Sequence, residues 1–293
     1  MKKYIILVLI SMSAVFYTSC EEYLDKAPEQ GLSEEEIFAN ADNFRLFFNA
    51  VYEGQFRYAG NDRELNLKPA FPLYFNYWDQ KYTWEGITDA ADQGRYMEGH
   101  NFKAGSVIGF VDKFINDGNR RPILKSMFAC IRIANISKSK IDLVKDISED
   151  EKNDLLGQIH FVRAFCHFEL FRIWGPMPYL TKAMGPDDVW DVARLSKHET
   201  LIRVAQDMDT AYTYFELAGK VRRDPGPGQA GHLADPDQRA PNGVAAKAYK
   251  SRALLYAASP LNNELGATDW ENAAKAAWEA IQLALNNQYA LMT

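Results

Sequence analysis

The stretch that decides the fold is "IHFVRAFCHFELFRIWGPMPYL", residues 159–180. Its phenylalanines recur at the spacing of one face of an α-helix, in steps of four, three and three: Phe161, Phe165, Phe168 and Phe171. A neighbouring stripe of the same predicted helix is also apolar: Leu155, Ile159, Val162 and Cys166. An apolar arc this wide predicts a helix that contacts other elements on two sides, as in stacked helical hairpins.

Three explanations compete for this helix: a catalytic site, a cofactor pocket, or a packing seam between repeats. His160 and His167 lie seven residues apart, which is roughly 10 Å along a helix by its rise per residue. They cannot share a metal ion directly, so we expect core or half-exposed histidines, no metal site and no cofactor. The chain also lacks the G-x-S-x-G pattern of hydrolases that use a serine nucleophile.

The overall composition is that of an ordinary globular protein. The chain has 293 residues and a formal net charge of -6, with 33 basic and 39 acidic residues. No run of five basic residues occurs. The electrostatic footprint of a nucleic-acid-binding protein is therefore absent, and we expect no nucleic-acid partner.

The first residues predict a secretion signal. Lys2 and Lys3 precede an apolar run that leads through small residues to Cys20. The stretch "YTSC", residues 17–20, resembles a lipobox, although Leu is usual where Tyr17 stands. We therefore predict a lipoprotein signal peptide over residues 1–19 and acylation of Cys20, which would anchor the chain in a membrane. The alternative is an ordinary cleaved signal in which Cys20 has no special role.

The remaining cysteines, Cys130 and Cys166, lie within helical patterns. We interpret both as small buried apolar residues and expect no disulfide bond.

Helical periodicity predicts helices over residues 33–57, 121–146, 148–174, 196–218, 241–259 and 268–287. Four of them begin with the Ser/Thr-x-x-Glu pattern of a capping box: Ser33 with Glu36, Ser148 with Glu151, Ser196 with Glu199, and Thr268 with Glu271. The predicted helix over residues 241–259 carries alanines where close helix approach would need small residues, and the last one alternates alanine with large residues such as Trp270 and Trp278. Small against large is typical of tetratricopeptide-type hairpins. The predicted fold is all-α, with long irregular loops over residues 58–118 and 219–241.

Aromatic residues concentrate in the first of these loops. The stretch "YFNYWDQKYTWEGITDAADQ", residues 74–93, contains Tyr74, Trp78, Asp79, Tyr82 and Trp84. A sugar offers an apolar C–H face and a rim of hydroxyls, so exposed rings beside polar side chains favour a glycan site. The alternative is that the same rings pack in the core.

Two loops also cluster acids, "GPDDVWD" at residues 185–191 and "DAAD" at residues 89–92. A pair of carboxylates could serve glycoside hydrolysis. Solvated loop acids are the alternative in each case.

The order of segments resembles a known family. The predicted lipoprotein signal and "YLDKAPE" come first, and the helix "LLGQIHFVRAFCHFELFRIWGPMPYL" follows, with Arg-Ala-Phe in the helix and Trp-Gly-Pro at its end. Then come "RLSKHETLIRVAQDMDTAY", "NGVAAKAYKSRALLYAASPLNN" and "WENAAKAAWEAIQLALNNQYALM". This pattern resembles the SusD/RagB family of outer-membrane nutrient-binding lipoproteins across essentially the whole chain.

The resemblance implies a SusD-like α-helical domain over residues 20–293, built from tetratricopeptide-like hairpins. It implies a lipid-anchored protein on the outer surface of the outer membrane that captures a glycan, or in some members a peptide. The partner would be a SusC/RagA-type TonB-dependent transporter, and no catalysis is implied. Arg163 and Trp174 would be scaffold residues, and Trp78 and Trp84 the best ligand candidates. Family members usually continue past the last repeat, so we expect a C-terminal portion of the family fold to be absent after "QYALMT".

Two other functions remain open from the residues alone. The first is a helical-repeat scaffold that binds other proteins and has no ligand of its own. The second is a secreted glycoside hydrolase.

Overall fold

The structure is a computed structural model that describes residues 34–53, 123–223 and 240–290. Within these ranges the chain forms seven α-helices: α1 (Glu34–Ala39), α2 (Ala41–Glu53), α3 (Ile123–Lys140), α4 (Glu149–Trp174), α5 (Lys197–Leu217), α6 (Gly243–Ala258) and α7 (Ala267–Asn286). A short 3-10 helix, Ile141–Leu143, follows α3. The chain divides into two compact units, residues 1–37 and 38–293. Of the first unit, only residues 34–37 are described.

The helices of the second unit pack as an array in chain order. From α2 to α7, each helix lies against the next one along the chain, and α4 also contacts α6. Packing of this kind buries one face of a helix within its hairpin and another against the following hairpin. The predicted all-α fold of tetratricopeptide-like hairpins is confirmed.

Helix α4 lies in the middle of the array and forms its core. Every residue from Gly157 to Phe171 is buried. Three of its aromatic rings meet the ring of Tyr249 on α6 edge to face, at centroid distances of 5.6, 5.3 and 6.4 Å: Phe161, Phe165 and Phe168. The packing-seam explanation of the deciding stretch is therefore confirmed.

Two of the predicted capping residues begin their helices as expected. The Ser148 hydroxyl accepts a hydrogen bond from the Glu151 N–H at 3.2 Å, and the Ser196 hydroxyl accepts one from the Glu199 N–H at 3.0 Å. Each bond satisfies one of the backbone donors left free in a first helical turn. Ser33 lies outside the described residues.

The prediction of a cap at Thr268 is wrong. Helix α7 begins one residue earlier, with Gly266 at the N-cap position and no capping side chain. The carboxylate of Asp269 instead accepts the Leu265 N–H at 3.0 Å and lies 2.9 Å from Nε2 of His198 on α5. A long-range contact has replaced the local one.

Two of the predicted helices end or break earlier than expected. The predicted helix over residues 33–57 is interrupted at Asn40, whose side chain accepts the Asn43 N–H at 3.1 Å and so starts a new helix. The predicted helix over residues 121–146 ends at Lys140. Beyond it, Asp146 accepts the Ala41 N–H at 2.7 Å and ties this segment to the start of α2.

Among the described helices, none is long and apolar enough to cross a membrane.

Candidate functional site

The predicted ligand-binding residues lie outside the described part of the chain. Tyr74, Trp78, Asp79, Tyr82 and Trp84 all fall within residues 54–122. Cys20, the predicted lipidation site, and the acids of residues 89–92 also lie outside it. These assignments stay predictions.

A buried ion pair joins α4 to α5. The guanidinium of Arg163 is 3% exposed and forms two hydrogen bonds with the Asp207 carboxylate, Nε to Oδ2 at 2.9 Å and Nη2 to Oδ1 at 2.6 Å. Burial opposes the charged carboxylate, but hydrogen bonds from His160 and Arg163 more than offset it, and the pKa of Asp207 lies well below its ordinary value. The Tyr179 hydroxyl donates a further bond to Oδ2 at 2.8 Å. Arg163 is therefore a scaffold residue, as expected.

The two histidines of α4 are core residues. Nδ1 of His160 lies 3.3 Å from Oδ1 of Asp207, and burial lowers the pKa of His160. Burial also lowers the pKa of His167, to about 4, and the Leu180 N–H donates to its Nε2 at 3.2 Å. Across the described residues, no group of three or more His, Cys, Asp or Glu side chains could hold a metal ion. Cys130 and Cys166 are both buried with free thiols, so their interpretation as small core residues is confirmed.

The same network fixes the α4–α5 connection, residues 175–196, against α3. Asn135 of α3 accepts a bond from Nη1 of Arg163 at 3.2 Å through its side-chain oxygen. Its amide donates to the Leu180 carbonyl at 3.0 Å and to the Lys182 carbonyl at 3.2 Å. Arg132 donates to the Met184 carbonyl at 2.6 Å. The backbone of the connection is thus held by side chains of α3.

A second buried ion pair lies toward the start of α4. Arg223 forms two hydrogen bonds with the Asp154 carboxylate, and its Nε donates to the Pro241 carbonyl at 2.7 Å. Asp154 also accepts a bond from Gln158, whose side-chain oxygen accepts the Tyr52 hydroxyl at 2.9 Å. This pair connects the segment after α5 and the segment before α6 to the core helix.

A cavity of about 740 Å³ lies between α3 and the α4–α5 connection. Its walls are mostly apolar and include Phe128, Ile131, Pro178, Leu180, Met184 and Val192. Its polar side chains are those of Arg132, Asn135 and Lys182. The volume falls within the range of small-molecule binding sites, about 300–1,000 Å³.

Trp190 lines this cavity and is 63% exposed. Its indole Nε1 donates to the Gly185 carbonyl at 3.1 Å, which holds the ring in the loop. Only the acids of "GPDDVWD" were candidates from the sequence, and this tryptophan was not among them. An aromatic residue among Gly, Pro and Asp in a loop is the signal that could have found it.

The acids of this loop are not all solvated in the same way. Asp187 and Asp191 are exposed, as expected of solvated loop acids. Asp188 instead accepts hydrogen bonds from Nζ of Lys182 at 2.8 Å and from the Gly185 N–H at 2.7 Å. Both bonds lower the pKa of Asp188, and an acid that is ionised near neutral pH is a poor general acid.

Comparison with known proteins matches this architecture. A SusD-like family model, described as "Starch-binding associating with outer membrane", matches residues 73–218. SusD-like protein P2 of Formosa agariphila is 26% identical over 197 residues, which cover 67% of this chain and 34% of the relative. SusD-like protein P38 of the same organism is 24% identical over 210 residues, covering 70% of this chain and 36% of the relative.

Solved structures share the fold. A SusD-like protein of Bacteroides fragilis superposes with a TM-score of 0.55 at 19% identity, covering 88% of this chain and 41% of that chain. A SusD-like carbohydrate-binding protein of the same organism also has a TM-score of 0.55, at 15% identity, covering 84% of this chain and 41% of that chain. Identities this low show a common fold and nothing about ligands.

The stacked hairpins around a buried Arg163–Asp207 pair define a helical-repeat protein of the tetratricopeptide-like class. This architecture and the family match together show that the chain belongs to the SusD/RagB family. The chain spans about a third of the length of the two curated relatives described above.

Proposed function

We propose that this protein is a lipid-anchored protein of the outer-membrane surface that binds a glycan and delivers it to a SusC/RagA-type TonB-dependent transporter. The observation that carries the proposal is the match to a family model described as starch-binding and associating with the outer membrane. The matched range, residues 73–218, includes the aromatic stretch of residues 74–93, which is predicted to bind the ligand.

The proposed chemistry is binding without catalysis. The rings of Tyr74, Trp78, Tyr82 and Trp84 would stack on the C–H faces of sugar residues, and Asp79 would accept hydroxyl hydrogen bonds. Weak, repeated contacts of this kind suit a protein that must release its ligand to a transporter, because tight binding would slow the transfer.

Affinity electrophoresis of the full chain against a panel of polysaccharides tests the proposal. We expect retardation by at least one polysaccharide, and its loss in the Trp78→Ala/Trp84→Ala double variant. The matched control is Trp270→Ala/Trp278→Ala, which removes two tryptophans that are 49% and 63% exposed on α7. Equal retardation of wild type and the Trp78/Trp84 variant would refute the assigned residues, and no retardation of either would refute glycan binding.

The anchor and the partner have separate tests. Cys20→Ala should release the protein from the membrane fraction of cells that lack the transporter, and continued membrane association there would contradict lipid anchoring. In cells that contain the transporter, we expect the wild-type protein to co-purify with it from detergent extracts. Its absence from such extracts after chemical cross-linking would contradict the proposed partnership.

The alternative function, an extracellular glycoside hydrolase, is tested by an activity assay. The proposal predicts that the purified protein releases no reducing ends from any polysaccharide that it binds. If reducing ends are still released after contaminating enzymes have been removed, the protein is a hydrolase and this proposal is wrong.

A protein-interaction scaffold is the second candidate, and one surface favours it. Helix α7 exposes a stripe of large apolar side chains at helical spacing: Trp270, Trp278, Ile281 and Leu285. Exposed apolar patches on soluble domains commonly mark contacts with other proteins. A scaffold without a ligand would keep its function in the Trp78→Ala/Trp84→Ala variant and lose it in the Trp270→Ala/Trp278→Ala variant, which is the reverse of the pattern expected for a glycan binder.

A further inference from the structure

Trp190 is an exposed tryptophan whose ring orientation is fixed by a hydrogen bond from its indole N–H. The indole N–H donates to the Gly185 carbonyl, so the polar edge of the ring is satisfied within the loop. The loop itself is closed by Asp188, which bonds to both Gly185 and Lys182. A large ring that is 63% exposed and yet held in one place offers its face to a ligand at little entropic cost.

The cavity beside Trp190 is large, and its walls are apolar. Its volume of about 740 Å³ falls within the range of small-molecule binding sites, so it has ample room for an apolar substituent of a few atoms. Burying sugar hydroxyls against such walls without hydrogen-bond partners would cost free energy. The interior of the cavity therefore favours an apolar group.

The walls are already in position before a ligand arrives. Arg132 and Asn135 hold the Met184, Leu180 and Lys182 carbonyls from α3. Asn135 is in turn held by Arg163. A site whose walls are fixed in this way has little reorganisation to perform on binding.

Donors are available at the cavity for an oxygen-rich ligand. Arg132 uses Nη1 for the Met184 carbonyl, and a guanidinium carries five N–H donors in all. Lys182 lines the same cavity, and its side chain is 67% exposed. The site thus combines an aromatic platform, an apolar interior and cationic hydrogen-bond donors.

We propose that this cavity and Trp190 form a binding site for a sugar residue that carries an apolar substituent, such as an O-acetyl or O-methyl group. The sugar ring stacks on the Trp190 indole and the substituent enters the apolar cavity. When the substituent is an O-acetyl ester, its carbonyl accepts a hydrogen bond from Arg132. This inference rests on the proposed glycan-binding function. It uses none of the residues from Tyr74 to Trp84.

The test compares polysaccharides with and without the substituent. Each member of a panel of neutral polysaccharides is presented untreated and after light O-acetylation with acetic anhydride, and affinity electrophoresis of the full chain gives the dissociation constant for each form. Trp190→Ala removes the stacking platform. Ala129→Leu places a larger side chain at the cavity from an exposed position of α3, and leucine is a good helix former.

Trp278→Ala is the matched control, because Trp278 is also 63% exposed but lies on α7 and does not line the cavity. Far-ultraviolet circular dichroism and thermal melting confirm that each variant is folded. We expect wild type and Trp278→Ala to bind the acetylated form roughly tenfold more tightly than the untreated form, which corresponds to about 1.4 kcal/mol. In Trp190→Ala and Ala129→Leu, this ratio should fall close to one.

The outcomes separate this inference from the function on which it rests. Wild-type protein that binds a glycan without preferring its acetylated form would overturn the inference and leave glycan binding intact. A preference that persists in both Trp190→Ala and Ala129→Leu would overturn it as well. Wild-type protein that binds no polysaccharide in either form would overturn both proposals.

Discussion

Helices α4 and α7 both carry aromatic residues at helical spacing, yet they place them in opposite surroundings. In α4, Phe161 and Phe168 are buried, and the helix has neighbours in α3, α5 and α6. In α7, three alanines face inward and are buried, Ala273, Ala276 and Ala280, whereas Trp270 and Trp278 point to solvent. Within the described array, α7 packs chiefly against α6.

The difference shows that residue spacing indicates a helix but not how many neighbours it will have. The alternation of alanine and tryptophan in α7 predicts small-against-large packing, but only alanines of this alternation are buried. A helix in the middle of an array must also find partners for most of the polar groups that it buries. This is why the buried side chains of Arg163 and His167 on α4 both have hydrogen-bond partners outside the helix.

Truncating one ring in each helix should give the largest contrast. Phe168 is fully buried and meets Tyr256 at a centroid distance of 5.2 Å, so Phe168→Ala should lower the free energy of unfolding by about 3–5 kcal/mol. Trp278→Ala should change it by no more than about 0.5 kcal/mol, because the ring is largely in water. Urea unfolding followed by circular dichroism measures both. Equal losses would contradict the contrast between the two helices.

Removing the charge that faces Arg163 should cost nearly as much. Asp207→Asn leaves the Arg163 guanidinium buried without a carboxylate, and breaking a buried pair in this way costs about 3–5 kcal/mol. The control is Asp209→Asn on the same helix, where a half-exposed carboxylate meets Lys247 at 2.7 Å and Lys250 at 2.6 Å. That change should cost about 1 kcal/mol or less. The same unfolding assay applies, and a small loss for Asp207→Asn would show that Arg163 finds another partner.

The pH dependence of stability should report the burial of His167. Its pKa is about 4 in the folded protein and 6.5 in the unfolded chain, so between these values the unfolded chain binds a proton that the folded protein does not. Stability attributable to His167 is therefore complete above pH 6.5 and falls by about 3 kcal/mol as the pH decreases to 4.

His167→Gln isolates this contribution, because glutamine does not titrate and can still accept the Leu180 N–H. Between pH 7 and pH 4.5, the variant should lose less stability than wild type. Parallel pH profiles for the two proteins would contradict the assignment.

The smallest expected effect concerns the close approach of α4 and α5. A Cβ added at Gly157 would lie 2.6 Å from Cδ1 of Phe215 on α5. Gly157→Ala gains about 1 kcal/mol in helix propensity but overpacks the contact by more, for a net loss of about 1 kcal/mol. Gly185→Ala is the control, since its nearest neighbour is an Asp188 oxygen at 3.6 Å. Thermal melting should show a lower Tm only for Gly157→Ala.

Much of the fold could be predicted from local patterns. The predicted helix over residues 148–174 differs from α4 by one residue at its start, and the caps at Ser148 and Ser196 form as expected. The failure at Thr268 has a clear reason, because Asp269 makes contacts with the chain before α7 and with α5 that no local pattern shows.

Less of the candidate site could be predicted. The sequence pointed to the aromatic stretch of residues 74–93, which lies outside the described residues, and to the acids of residues 185–191. It did not reveal the cavity, because the walls come from α3 and from a connection about 50 residues later. Residues this far apart in sequence meet only when the helices have packed.

The sequence by itself determined most of the helices, two of their starting caps and the array of hairpins, because these follow from the periodicity of apolar side chains and from bonds within one turn. Only the tertiary structure decided which partner Arg163 has, which tryptophans remain exposed and where a cavity lies. Those properties depend on side chains that different helices bring together. Trp190 and Trp278 have the same exposed fraction, but of the two only Trp190 lines the cavity between α3 and the α4–α5 connection.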